Sequence, residues 1–459
     1  MVFSSLIFLF RFLPVFLLVY YIVPRPLKNL VLFIGSMIFY AWGEPKYTVL
    51  VLLSIIVNFY STKFMAMYDR QYRIRERRIC LALILLYDVG MLIFFKYTGF
   101  ILTNVNMFAG TAVPIPKITL PLGISFYTFQ IMSYVIDVYK GNIEVENSIL
   151  NVGTYLVMFP QLIAGPIVVY KNVAEALKER EITLEGIEKG LMSFTLGLGS
   201  KVILANNIGN VWSACGEAGF ENISTLFAWL GIAAYTLQLY FDFSGYSLMA
   251  IGLGEMMGFK FPQNFNFPYI ANSVSDFWKR WHITMTDWFR NYIYIPLGGN
   301  RNGAVRTYLN MLVVWVVTGF WHGADWNFVL WGLYYFVILS IERLFLKKVL
   351  DQLQFFSRIY TLLCVMIGWV LFASPSLQEA VVYITRMFTL NPGTDFLEYA
   401  KSYGGLMAVG VVFATPIFSD WYKKHRGNVL VISFMFAVFW YSVYLLTKEI
   451  YNPFLYFRF

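Results

Sequence analysis

Val49-Leu50-Val51-Leu52-Leu53-Ser54-Ile55-Ile56-Val57 is followed by Arg70-Gln71-Tyr72-Arg73-Ile74-Arg75-Glu76-Arg77-Arg78 and then by Leu81-Ala82-Leu83-Ile84-Leu85-Leu86. Two apolar runs flank one short basic loop. A spanning helix takes about 20 mostly apolar residues, and positive loops stay on the cytoplasmic side. The stretch therefore reads as two spans joined at the inner face of a membrane. The rest of the 459 residues repeats the pattern: 59% are hydrophobic, only 13% charged, and mean hydropathy is +0.62. A soluble domain carries about 25% charged residues, so most of this surface faces lipid. Aromatic residues make up 19%, with Trp and Tyr often at the ends of apolar runs, as in an interfacial belt.

Outward from that stretch, candidate spans lie at roughly 2–23, 28–42, 46–66, 79–98, 119–139, 150–170, 187–209, 224–257, 304–321, 325–346, 357–374, 403–418 and 429–447. Several are short or rich in Gly and Pro, which leaves about eleven expected spans, with the rest re-entrant or interfacial. The interrupted run Phe159 to Pro166 is one such place, because irregular backbone at membrane depth must be buried in protein or line a cavity. Met1 to Val23 lacks a basic start and a small-residue cleavage site, so it reads as a retained segment. Stretches 171–189 and 391–402 read as connecting loops with short helices. The expectation is one all-α polytopic membrane domain over residues 1–459.

Net charge is +9, gathered in the Arg70–Arg78 loop, in Lys423, Lys424 and Arg426, and in Arg343, Lys347 and Lys348. These clusters mark the inner face, not the continuous basic surface of a nucleic-acid binder. Cys80, Cys215 and Cys364 stand far apart and suggest neither a metal motif nor a disulfide framework. No phosphate-binding Gly-Lys-Ser/Thr loop and no Gly-x-Ser-x-Gly elbow is present, which disfavours ATP-driven transport and serine hydrolysis.

Ser273 to Tyr294 is too polar to span. As one helix it places Asp276, Lys279, Arg280, Asp287, Arg290 and Asn291 on one face, and Phe277, Trp278, Trp281, Met285, Trp288, Phe289 and Tyr292 on the other. Ser273 reads as its cap. His282 falls among the aromatics, either as a packing histidine or as a functional one. His322 ends the apolar run from Met311, between Gly319 and Gly323. An ionisable group there is a functional candidate, with glycines that would admit a substrate; the rival reading is a histidine at a helix C-terminal dipole. Asp325 suits either an orienting role toward His322 or a helix cap. Asp242 and Lys201, inside apolar runs, line a polar cavity or pair with a neighbouring donor or acceptor. With His425 in a basic cluster, two histidines remain for a buried site, and no metal constellation has suitable spacing.

At these residues the chain resembles the membrane-bound O-acyltransferase superfamily, in particular its bacterial alginate O-acetyltransferase type. The matching text is Asn264-Phe265-Asn266-Phe267-Pro268-Tyr269, Phe277-Trp278-Lys279-Arg280-Trp281-His282-Ile283, Tyr294-Ile295-Pro296-Leu297-Gly298-Gly299-Asn300-Arg301, and Trp321-His322-Gly323-Ala324 followed by Trp326. Val2-Phe3-Ser4-Ser5, Phe159 to Pro166, Asp242-Phe243-Ser244-Gly245-Tyr246-Ser247 and Pro453-Phe454-Leu455-Tyr456-Phe457 also fit, so the likeness covers nearly the whole chain. Asn291 and Leu248 depart from the pattern, where relatives often carry acids.

The resemblance implies a ring of tilted helices around a thin centre crossed by a tunnel. It implies His322 as the catalytic histidine and His282 as a second functional one, with Asp242, Trp281, Trp321 and Asp325 as candidate substrate-binding residues. It implies no bound cofactor, a donor thioester such as acetyl-CoA from the cytoplasm, and an acceptor hydroxyl on an exported polysaccharide. An extracytoplasmic partner enzyme and a bacterial inner-membrane location belong to the same expectation. D-alanyl transfer to teichoic acid, from a carrier protein, is the near alternative. A transporter or flippase using the histidines as a proton relay is the distant one, disfavoured by the missing internal repeat. A scaffold of a glycan-export complex is a third.

Overall fold

The computed structural model describes residues 1–163, 165–448 and 454–455. Among them every regular element is helical. Seven helices are long and apolar enough to cross a bilayer: Pro45–Arg70, Ile74–Ala109, Thr225–Met256, Gly303–His322, Trp326–Gln352, Gln354–Ala373 and Val429–Lys448. The pair Phe396–Phe413 and Pro416–His425, bent by 68°, makes an eighth if it is counted as one span. Fewer helices qualify than the eleven expected because several apolar runs fold as shorter helices, such as Lys28–Gly43 and Ile124–Lys140. Large apolar side chains such as Ile22, Leu86 and Val305 are exposed, as lipid-facing residues of these helices would be.

The chain gathers into two compact units. The first comprises Met1–Ser193 with Ala250–Pro262, the second Phe194–Met249 with Gln263–Phe459. In the first, Phe8, Phe16 and Phe39 pack around Phe159, whose ring centroid lies 5.1 Å from that of Phe16 and 5.5 Å from that of Phe39. The expected 150–170 span is broken here. The Ile149–Val157 helix stops, Met158 turns extended, and a short helix Phe159–Leu162 follows. Ala164, inside the marked run, lies outside the described residues. The break is fully buried, and its backbone finds side-chain partners: Phe159 N–H donates to Ser36 Oγ at 3.1 Å, and Gln161 Nε2 donates to the Tyr155 carbonyl. Buried polar backbone at membrane depth requires such partners. Of the stretch read as a connection, 171–183 is one, with a short helix Ala174–Lys178, while 184–189 begin the Leu184–Gly199 helix.

In the second unit two helix crossings rest on glycine. A Cβ on Gly197 would lie 2.4 Å from the Gly245 carbonyl oxygen. A Cβ on Gly319 would lie 2.3 Å from the Phe328 carbonyl oxygen, and one on Gly332 would lie 2.3 Å from that of Trp315. Small residues let membrane helices approach this closely where no hydrophobic drive holds them together. Gly319→Ala is therefore expected to lower the thermal unfolding midpoint in detergent, at an overpacking cost of about 1–3 kcal/mol. Gly404→Ala, with nothing within 4 Å of the added carbon, serves as the reference. Equal midpoints for the two variants would refute this account of the crossing.

Candidate active site

His322 is the last residue of the Gly303–His322 helix and is 4% exposed. Its imidazole stacks edge-on to Trp331 at 4.9 Å and to Phe372 at 5.3 Å. Trp321 contacts both histidines, its ring 4.9 Å from that of His322 and 6.1 Å from that of His282. The space beside both glycines is filled: a Cβ on Gly323 would meet the Phe328 ring at 2.1 Å. Gly319 and Gly323 thus serve packing against the next helix, and do not open a path for substrate.

His282 is fully buried, but not within one long amphipathic helix. Ser273 caps as expected, accepting from Asp276 N at 3.0 Å, and Asp276 pairs with Arg280 at 3.0 Å. That helix ends at Trp278, and a second begins at Ile283, with His282 between them at φ +45°. The break has a cause 18 residues away. Asn266 N–H donates to the Arg280 carbonyl, and Ile283 N–H donates to the Asn264 carbonyl, each at 2.9 Å. These bonds draw the backbone of 280–283 out of a helix, and the left-handed turn, costly for a side chain with a Cβ, is held by them.

Asn264 also fixes the imidazole. Its Oδ1 accepts from Thr284 N at 3.3 Å and from Thr284 Oγ1 at 2.9 Å, so that atom is the amide oxygen. His282 Nδ1, 3.0 Å away, must then donate to it, which places the neutral ring's lone pair on Nε2. Asn264 Nδ2 donates in turn to Ser247 Oγ at 3.1 Å. Phe243 closes the other side, 4.7 Å from the His282 ring.

Burial pushes the His282 imidazole down to about 3. In the unfolded chain a histidine titrates near 6.5, so between these values the unfolded state binds a proton that the folded state refuses. Stability is expected to be intact above about pH 6.5 and to decline as pH falls from there toward 3. His282→Gln should flatten that slope when unfolding midpoints are followed from pH 7 to 5; unchanged slopes would count against it.

Other expected residues lie elsewhere. Asp242 and Lys201, each 2% exposed, form an ion pair of 2.5 Å, and the second Asp242 oxygen accepts from Leu455 N at 2.8 Å. With both oxygens engaged, Asp242 anchors structure. Asp325 is exposed and caps the Trp326–Ile341 helix through a long 3.4 Å contact to Asn327 N, so it does not orient His322. Trp281 packs 4.9 Å from Trp369 and 5.0 Å from Phe265, away from His322. Of the matching C-terminal run, Pro453, Tyr456 and Phe457 lie outside the described residues.

Two further features escaped the sequence reading. Glu342, 1% exposed, accepts from Val274 N at 2.6 Å, Ser275 N at 2.9 Å and Ser275 Oγ at 2.6 Å, pinning the start of the segment that leads to His282. Its place in an apolar helix was the available signal. The indole N–H groups of Trp278 and Trp331 and the Tyr335 hydroxyl are buried without a hydrogen-bond partner among the described residues. A buried donor left so costs about 1–3 kcal/mol, and it offers hydrogen-bonding capacity to a polar guest. Two buried imidazoles, one fixed neutral, thus stand among aromatic rings near several polar donors. Such an arrangement can take a proton from a hydroxyl away from bulk water.

Comparison with known proteins agrees with this chemistry. A family model described as MBOAT, membrane-bound O-acyltransferase family, matches residues 144–378. The chain is 39% identical over 399 residues to "Probable alginate O-acetylase AlgI" of Pseudomonas aeruginosa, covering 85% of this chain and 75% of that protein. It is 35% identical to "Peptidoglycan O-acetyltransferase" of Helicobacter pylori, covering 95% of this chain and 89% of that protein. At greater distance, it is 29% identical to "Teichoic acid D-alanyltransferase" of Streptococcus thermophilus, over 50% of this chain and 58% of that protein.

Proposed function

Since the chain belongs to the membrane-bound O-acyltransferase family, we propose that this multi-pass membrane enzyme moves an acetyl group from a cytoplasmic thioester toward hydroxyls of an exported cell-surface polysaccharide. The observation that carries the chemistry is the pair of buried imidazoles that both contact Trp321. His322 removes the proton of an acceptor hydroxyl as its oxygen attacks the thioester carbonyl carbon. The tetrahedral intermediate collapses by breaking the carbon–sulfur bond, and the departing thiolate takes the proton from the imidazolium. An ester and a free thiol result. General-base catalysis of this kind is worth about 10²–10⁴-fold, and a dry site protects the thioester from hydrolysis.

His282, held neutral with its lone pair on Nε2, positions the acceptor or the thioester. Trp331 Nε1, on the ring that stacks against His322, is suited to hold a carbonyl or hydroxyl oxygen. Acetyl-CoA is the donor in this reading, arriving at the basic cytoplasmic face of a bacterial inner membrane. The first acceptor is the glycan or a hydroxyl of an extracytoplasmic partner enzyme.

The test is donor choice by purified protein in lipid. Labelled acetyl-CoA should be turned over in the presence of a polysaccharide acceptor, and a D-alanyl carrier protein should not. The reverse preference would replace this reading with D-alanyl transfer, the activity in the name of the more distant relative. Accumulation of substrate across the bilayer without ester formation would replace both with transport.

A further inference from the structure

A cavity of about 550 Å³ in the first unit is lined by Arg25, Lys28 and Arg180, with Tyr21, Thr183 and a single acid, Glu181. Three cations share one opening, and the electrostatic influence of both guanidinium groups reaches Lys28. Among the described residues none of the three forms an ion pair with a carboxylate. They are held in place by neutral groups instead. Lys28, 9% exposed, donates from Nζ to the Tyr20 carbonyl at 2.6 Å. Arg180 Nε donates to Tyr20 Oη at 2.7 Å, and its Nη1 to Asn29 Oδ1 at 2.7 Å and to the Ala176 carbonyl at 2.9 Å. Its plane lies 4.6 Å from the Phe259 ring, and its Nη2 is buried with no partner.

A guanidinium fixed at two nitrogens with the third without a partner, beside a buried ammonium, is a poor arrangement unless an anion joins it. Like charges gathered out of water repel, and a buried charged donor without a partner is costly. Phosphate oxygens suit both groups: Arg offers a planar fork and Lys a point charge. We propose that this cavity binds a phosphate ester at the cytoplasmic surface of the membrane. The side follows from charge. Arg25 and Lys28 stand where the Leu13–Ile22 helix gives way to the Lys28–Gly43 helix, and basic residues in short connections beside apolar helices stay at the inner face.

Two sources of phosphate reach such a position. One is the nucleotide part of the thioester donor, an assignment that rests on the proposed acyl transfer. The other is an anionic phospholipid headgroup, whose chains would lie along the exposed Ile22 and Leu27. Both are charge-assisted contacts whose loss is expected to weaken binding about tenfold or more for each variant.

The experiment uses the full chain in nanodiscs. In one arm the discs are phosphatidylcholine only and coenzyme A is titrated; in the other, phosphatidylglycerol is mixed in and its retention is read by native mass spectrometry. Arg180→Gln and Arg25→Gln are compared with the wild type. Arg25 is exposed and forms no side-chain ion pair among the described residues, so Arg25→Gln remains informative should Arg180→Gln fail to fold. Loss of coenzyme A binding in both variants supports the site and assigns it to the nucleotide. Loss of phosphatidylglycerol retention alone supports the site and assigns it to the lipid. Wild-type binding of both probes by the folded variants, or no binding of either probe by the wild type, overturns the proposal. His322→Ala separates the two readings: it should stop turnover without moving coenzyme A affinity, so a failure of the acyl-transfer mechanism leaves the phosphate result standing.

Discussion

Replacing His322 by alanine is expected to lower acetyl transfer by about 10²–10⁴-fold while the protein still elutes as a folded species. The proposed proton acceptor would be gone. Trp321, Trp331 and Phe372 pack on its ring, and none of them is a base near neutral pH. The side chain is buried at a helix end, so the loss in stability should be about that of a truncated core residue. His322→Gln, which keeps polarity and bulk without basicity at neutral pH, should be as inactive as the alanine variant. Release of labelled acetyl groups from acetyl-CoA by protein in lipid measures both. Equal turnover in wild type and His322→Ala would remove this residue from the mechanism.

Asp242→Ala is expected to be the most destabilising single change in the second unit, at about 3–5 kcal/mol. It leaves the Lys201 ammonium uncompensated at 2% exposure and strips the Leu455 N–H of its acceptor. Breaking one side of a buried pair costs far more than never having had it. The double variant Asp242→Leu with Lys201→Met should therefore recover much of the loss, and unfolding midpoints in detergent would reveal that recovery. A double variant no more stable than Asp242→Ala would show that the tail anchor, and not the charge, dominates.

The membrane class was legible because composition is a sum over the chain that no local rearrangement alters. His322 stood out for a related reason: an ionisable group closing an apolar run is anomalous wherever it lies. Asp242 and Lys201 were each legible as questions, and 41 positions of separation hid that each answers the other. The single helix expected from Ser273 to Tyr294 was wrong at residues 279–282, because periodicity sees neighbours and the break is imposed by Asn264 and Asn266. The same distance concealed the role of Asn264 in fixing His282, and that of Glu342 in pinning Val274 and Ser275. The glycines around His322 invited a local reading as room for substrate, when Phe328 already occupies that room. Hydropathy registers apolar runs whatever the length of the helix they form, so seven or eight of the expected spans pass on length and composition and others, such as Lys28–Gly43, are shorter helices.

Asp242 also gives assembly of the protein a temporal order. Leu455 donates to its carboxylate, and Phe454 packs at 5.9 Å on Phe243, which itself lies against His282. Translation adds about 5–20 residues per second, so roughly 10–30 seconds pass between synthesis of His282 and of the segment that completes the wall behind it. During that interval one oxygen of a buried carboxylate and one aromatic face await their cover. The packing around His282 is thus completed only when nearly the whole chain already exists.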